Sequence, residues 1–173
     1  MDSVAAPQRI LLPVRMSTIA LSFAAALVLN FLPWTSIMLV PDFVAVVLVF
    51  WCVRQPRTIG LGVGWTLGLI ADAGNGVLLG QHALAYSLLA FGAITLSRRI
   101  LWFGLSQQAL HVAVLLVAAE AIELVVRMAA GAEFPGWPIF VGPLAGALLW
   151  PVATLVLLAP QRRALEPDPA RPI

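Results

Sequence analysis

Apolar residues run in six long blocks, at 16–34, 37–53, 58–78, 82–96, 106–130 and 137–159, separated by short breaks rich in arginine, proline or glycine. A helix needs roughly 20 residues to cross a hydrocarbon core of about 30 Å, and the blocks approach that length. Strands of a membrane barrel would alternate in polarity over about ten residues, and these blocks do not alternate. The pattern predicts an all-α polytopic membrane protein, a single membrane domain over 1–173 with six transmembrane helices and short tails at 1–14 and 160–173. The second block holds Pro41-Asp42, so a helix starting there, with 35–40 in the interface, is the alternative; proline suits a first helical turn.

The third block carries the most unusual spacing. Gly60, Gly64, Gly68, Asp72, Gly76 and Gly80 recur at every fourth position, within and just after GLGVGWTLGLIADAGNG. Glycines at this spacing open a groove along one helix side, and in lipid such grooves let two backbones approach closely. Gly142 and Gly146 repeat the spacing in the sixth block and are the candidate mate. Gly74-Asn75-Gly76 can end or break the helix.

Composition confirms the solvent. Hydrophobic residues make up 61% of the chain and charged residues 10%, against about 25% charged in ordinary soluble domains. Mean hydropathy is +0.98. The charge distribution orients the chain. Arg9 and Arg15, Arg54 and Arg57, Arg98 and Arg99, then Arg162, Arg163 and Arg171 occupy every second connector, and the alternate connectors hold none. By the positive-inside rule both termini are cytoplasmic. Arginines confined to such clusters argue against nucleic acid as a partner. Trp34, Trp51, Trp102 and Trp137 fall near predicted segment ends, as interfacial anchors do. Cys52 is the only cysteine, which excludes an internal disulfide, and its apolar run predicts a packing role.

Charges inside the blocks are the candidate chemistry, because each costs about 2.5–3.5 kcal/mol at the bilayer centre on insertion scales. Counting along the helices sets Asp72 and Glu120 at similar depth in the outer half of the membrane. Glu123 and Arg127 follow on the same face as an acid–base pair, and Asp42 enters from the outer end. The candidate intramembrane cluster is therefore Asp42, Asp72, Asn75, Glu120, Glu123 and Arg127. Two readings fit it. One is a polar clasp in which these groups and His82 satisfy each other; the other is a site for a partner helix, a lipid headgroup or a small solute. HExxH, GxSxG and phosphate-loop patterns do not occur in the sequence. His82 and His111 are too far apart for a local metal pair, and Gln107-Gln108 suits capping or headgroup contact. No catalysis, cofactor or metal is expected.

Four stretches carry a resemblance: LPWTSIMLVPDFVAVVLVFW, QPRTIGLGVGWTLGLIADAGNGVLLGQHALAYSLLAF, WFGLSQQALHVAVLL and PLAGALLWPVATLVLLAPQRR. In order and spacing they resemble the bacterial rod shape-determining MreD family from about Arg9 to Arg163. Many relatives have Arg-Pro-Asn or Arg-Pro-Asp before the second span, where this chain has Val40-Pro41-Asp42. The resemblance implies a non-enzymatic inner-membrane component of the elongation machinery, acting in lateral peptidoglycan synthesis and rod shape. It implies association with MreC, and through it with MreB, RodA and its penicillin-binding transpeptidase partner. It also implies a fold similar to the membrane substrate-binding subunits of energy-coupling-factor transporters, so a solute-binding or transport subunit is the alternative function.

Overall fold

A computed structural model describes residues 14–34 and 40–161. Arg9, Arg162, Arg163, Arg171 and most of both predicted tails lie outside the described residues. The described chain is all helical: α1 (Met16–Phe31), α2 (Phe43–Arg54), α3 (Leu61–Asn75), α4 (Gln81–Trp102), α5 (Leu105–Ala129) and α6 (Val141–Leu158). Short 3-10 turns at Trp137–Phe140 and Ala159–Gln161 flank α6. By length and hydropathy α4, α5 and the continuous stretch Trp137–Gln161 can each cross a membrane; α1 and α2 are apolar but shorter.

The bundle is built around α2. Its sequence FVAVVLVFWCVR is apolar on every side until Arg54, and nine of its twelve residues are buried. A helix apolar all round belongs in the centre, and α2 packs against α1, α4, α5 and α6. The pairs α3–α4, α4–α5 and α5–α6 close the rest of the ring in chain order. Phe50 meets Trp51 edge-on at 4.9 Å between ring centroids and Trp150 of α6 at 6.1 Å. Trp51 is fully buried, and its indole Nε1 donates to Ser22 Oγ at 2.8 Å. It is a core residue rather than the interfacial anchor its position suggested. Trp102 and Trp137 are largely exposed at helix ends, and Cys52 is buried in the core as predicted.

Of the boundaries that differ from the sequence reading, three have a clear physical cause. The second helix starts at Phe43, because Asp42 caps it by accepting from Ala45 N at 3.0 Å; Val40 to Asp42 are not helical, and 35–39 lie outside the described residues. The third ends at Asn75, where Gly76 takes a left-handed φ of 63° that turns the Val77 N–H back to the Asp72 carbonyl at 3.2 Å. The fourth runs on past Leu96 to Trp102, absorbing Arg98 and Arg99, which suit the negative end of a helix dipole and need not break it.

The glycine row finds a different mate from the expected one. A Cβ at Gly64 would sit 2.7 Å from the Tyr86 carbonyl oxygen, and one at Gly68 would overlap the backbone of His82 and Ala83. The groove of α3 is thus filled by the backbone of α4. Gly142 and Gly146 instead receive α2 and its approach: a Cβ at Gly142 would lie 3.0 Å from the Val40 carbonyl oxygen, and one at Gly146 3.1 Å from Val46. Helix α4, joined to α3 by the five-residue turn 76–80, takes the groove that was assigned to α6. Gly60 stands in open space at the start of α3 and packs against nothing.

Candidate functional site

Asp72 lies in the last turn of α3, facing the first turn of α4, and is fully buried. Helix α4 begins with backbone N–H groups that have no acceptor in their own helix. Asp72 supplies it from the neighbouring helix. Its Oδ2 accepts from Gly80 N at 2.8 Å, and its Oδ1 accepts from His82 N at 2.8 Å. The ring Nδ1 of His82 lies 2.8 Å from the same Oδ1. The carboxylate in the glycine row is therefore a cap supplied across the hairpin. The last close-packed glycine, Gly68, lies one turn before it and brings the two backbones near enough.

Because Oδ1 is an acceptor, His82 Nδ1 carries the proton of that contact, which turns Nε2 toward α5. There it lies 3.4 Å from Glu123 Oε2. His82 thus stands between Asp72 on α3 and Glu123 on α5. Among the described residues Arg127 makes no salt bridge with Glu123. One turn of helix separates them, but Glu123 points to His82, and the expected acid–arginine pair does not form.

A second knot lies beside the first. Asp42 Oδ1 accepts from Asn30 Nδ2 at 2.8 Å, and Asn30 Oδ1 in turn accepts from Phe43 N at 2.9 Å. The Tyr86 hydroxyl donates to Asp42 Oδ2 at 2.5 Å. Tyr86 sits one turn after His82, with ring centroids 5.8 Å apart, and so joins the two knots. Together they tie the end of α1, the start of α2, the end of α3 and the start of α4 to α5. Asn75 is exposed at the end of α3 and takes no part.

Above this network opens a polar cleft of about 320 Å³, lined by Asn30, Asp42, His82, Glu120 and Glu123 on one side and Pro138, Ile139, Gly142 and Pro143 on the other. A void of about 20 Å³ continues beneath it beside Tyr86 and Gly146, room for one water molecule. Glu120 faces the cleft and, among the described residues, has no hydrogen bond or salt bridge. Of the predicted cluster, Asp42 and Asp72 anchor the two knots, Glu123 reaches His82 and Glu120 lines the cleft, while Asn75 and Arg127 make no side-chain hydrogen bond or salt bridge among the described residues.

His82, Tyr86 and Asn30 complete the site. The sequence reading gave His82 only a supporting place and passed over the other two. Tyr86 is the single tyrosine of the chain, four residues after His82 in an otherwise apolar block, and that spacing was the available signal. Replacing Tyr86 with phenylalanine leaves a carboxylate oxygen of Asp42 without its donor. It should lower unfolding stability in detergent by about 1–3 kcal/mol, with Tyr86→Leu costing more. A Tyr86→Phe variant as stable as wild type would show that the hydroxyl holds nothing.

At the opposite end, Gln108 is buried, donates to the Phe103 carbonyl at 2.9 Å and accepts from Trp150 Nε1 at 3.2 Å. It pins the α4–α5 turn to α6. This joins the Gln-Gln-Ala-Leu stretch to the Leu-Leu-Trp-Pro stretch. Gln107 stays exposed, and His111 stacks on Phe103.

The family model for rod shape-determining protein MreD matches residues 8–158. The chain is also similar to the rod shape-determining protein MreD of Haemophilus influenzae, with 30% identity over 152 residues, covering 84% of this chain and 91% of the relative. No solved structure matches the chain.

Proposed function

The chain belongs to the MreD family of rod shape-determining proteins, and from that premise we propose a non-enzymatic scaffold of the elongation machinery in the bacterial inner membrane. The observation that carries this reading is that the family match spans nearly every described residue, so the family's role has to be performed by the helical bundle itself. The bundle has little beyond its helices to offer a partner except faces, and those of α1, α5 and α6 carry many exposed large apolar side chains. In this proposal MreC is the direct partner, and MreB, RodA and its penicillin-binding transpeptidase partner are reached through the assembly that supports lateral peptidoglycan synthesis.

The proposed topology is six spans with both termini inside, as the arginine distribution argues. Helices α1, α2 and α3 rise only about 24, 18 and 22 Å, short of a hydrocarbon core of about 30 Å. Their arginine-free ends meet at the two polar knots. The knots then lie below the outer surface, where short helices are accommodated by local thinning of the bilayer. Buried side-chain caps replace the water those helix ends would otherwise need.

The test is to crosslink intact membranes of the native host, purify this protein in mild detergent and identify what accompanies it. Recovery of MreC and wall synthases is expected. The polar cleft favours one other reading, a solute-binding or transport subunit with a fold like that of the vitamin-transporter subunits. Under that reading an ATPase pair or a small molecule would be recovered without wall proteins. Saturable solute binding lost in Glu120→Gln would then replace the scaffold proposal.

A further inference from the structure

Between α1 and α6, floored by α2, runs an apolar groove of about 440 Å³. Its α1 wall is Thr18, Leu21, Ser22, Ala25, Ala26 and Leu29, residues at helical spacing, and four of the six are small. Ala153 supplies the matching short side chain on α6, and Val46 and Val47 form the floor. The Ser22 hydroxyl is already satisfied, since Ser22 Oγ donates to the Ile19 carbonyl at 2.7 Å and accepts from the Trp51 indole. No ionisable side chain lines the groove.

Dimensions and charge select the occupant. From Thr18 to Leu29 the wall runs about 17 Å, close to half of a hydrocarbon core of about 30 Å, which is the depth of one leaflet. Arg15 caps α1 one turn before Thr18, and Pro160 lies at the same end of the groove. In the sequence Arg162-Arg163 follow directly after the last described residue, Gln161. The narrow apolar slot thus starts at the basic end of the bundle.

We infer that this groove is a specific site for one phospholipid with an anionic headgroup, an acyl chain lying in the slot and the phosphate held at Arg15. Basic residues beside gaps between membrane helices recognise anionic headgroups in this way. Placing the lipid in the cytoplasmic leaflet rests on the orientation proposed above. The site itself does not, and it stands whether or not wall proteins are recovered with the chain.

The experiment is native mass spectrometry of the full chain released from nanodiscs of equal phosphatidylethanolamine and phosphatidylglycerol. Wild type should retain a phospholipid adduct, with phosphatidylglycerol preferred about fivefold. Ala25→Leu with Ala153→Leu fills the slot from two partly exposed positions, and the adduct should fall at least about tenfold, the equivalent of two buried methylenes. Arg15→Gln should keep the adduct and flatten the preference. A thermal melt of each variant shows that it is folded, and the two leucine substitutions tested singly replace the double variant if it melts early. The inference is overturned by a wild type with no adduct, by an adduct unchanged in the filled variants, or by a preference that survives Arg15→Gln. Loss of a co-purified protein in the filled variants, with lipid retention unchanged, would also overturn it and give the groove to a partner segment.

Discussion

Asp72→Ala should destabilise the bundle by about 2–4 kcal/mol, the loss of a helix cap together with buried donors left without an acceptor. The N–H groups of Gly80 and His82 and the ring Nδ1 of His82 all point at one carboxylate that is fully buried. Alanine removes the acceptor at a site closed to bulk water, and the donors lose their partner. In membrane proteins measured polar couplings average only about 0.6 kcal/mol, because the unfolded chain in lipid also finds partners. Three donors on one acceptor still place this site at the upper end. Asp72→Asn retains one acceptor oxygen and should lose about half as much. Reversible unfolding in mixed detergent micelles measures both. A double-mutant cycle with His82→Ala should show a coupling of about 1 kcal/mol, since the two residues share a network. An Asp72→Ala variant within about 0.5 kcal/mol of wild type, inside the range of ordinary surface substitutions, would mean the carboxylate is not a cap.

That prediction depends on geometry that the sequence showed only in outline. Six apolar blocks and their arginine-bearing connectors gave six helices in the right order, because hydrophobic length is read directly along the chain. Boundaries moved at local signals: Asp42 caps α2 one residue past the alternative start, Gly76 ends α3 at Asn75, and α4 carries Arg98 and Arg99 on to Trp102. What the sequence did not show is that Asp72 caps the first turn of α4 from another helix. Capping across a hairpin has no local spacing to recognise. The acids themselves were legible, because a carboxylate in an apolar block is rare and must be satisfied. Their partners were harder to see. A histidine, a tyrosine and an asparagine are unremarkable one at a time, and only the fold brings Asn30, Tyr86 and His82 to the same end of the bundle. Arg127 was misassigned for the converse reason: helical spacing allows its pair with Glu123, but the His82 ring, held by Asp72, stands on the other side of that carboxylate.

The glycines supply the sharper test of how the hairpin is built, because two of them in one helix should respond in opposite directions. Gly68→Ala places a methyl group where the backbone of His82 and Ala83 already lies. Backbone cannot rotate away, so α3 and α4 must part. Overpacking costs about 1–3 kcal/mol and occasionally more. Here the separation also lengthens the hydrogen bonds from Asp72, one turn further along, to Gly80 and His82. The expected loss is therefore about 3 kcal/mol or more, comparable to removing Asp72 itself. Gly62→Ala, in the same helix, meets open space, and should stabilise by about 0.5–1 kcal/mol because alanine loses less backbone freedom in a helix. Thermal melts of the two purified variants in one detergent make the comparison. If Gly68→Ala melts with wild type, α3 does not lie against α4 as described, and the cap at Asp72 loses its geometric basis. If both variants fall together, the glycines serve a general need of α3 rather than the close approach at Gly68.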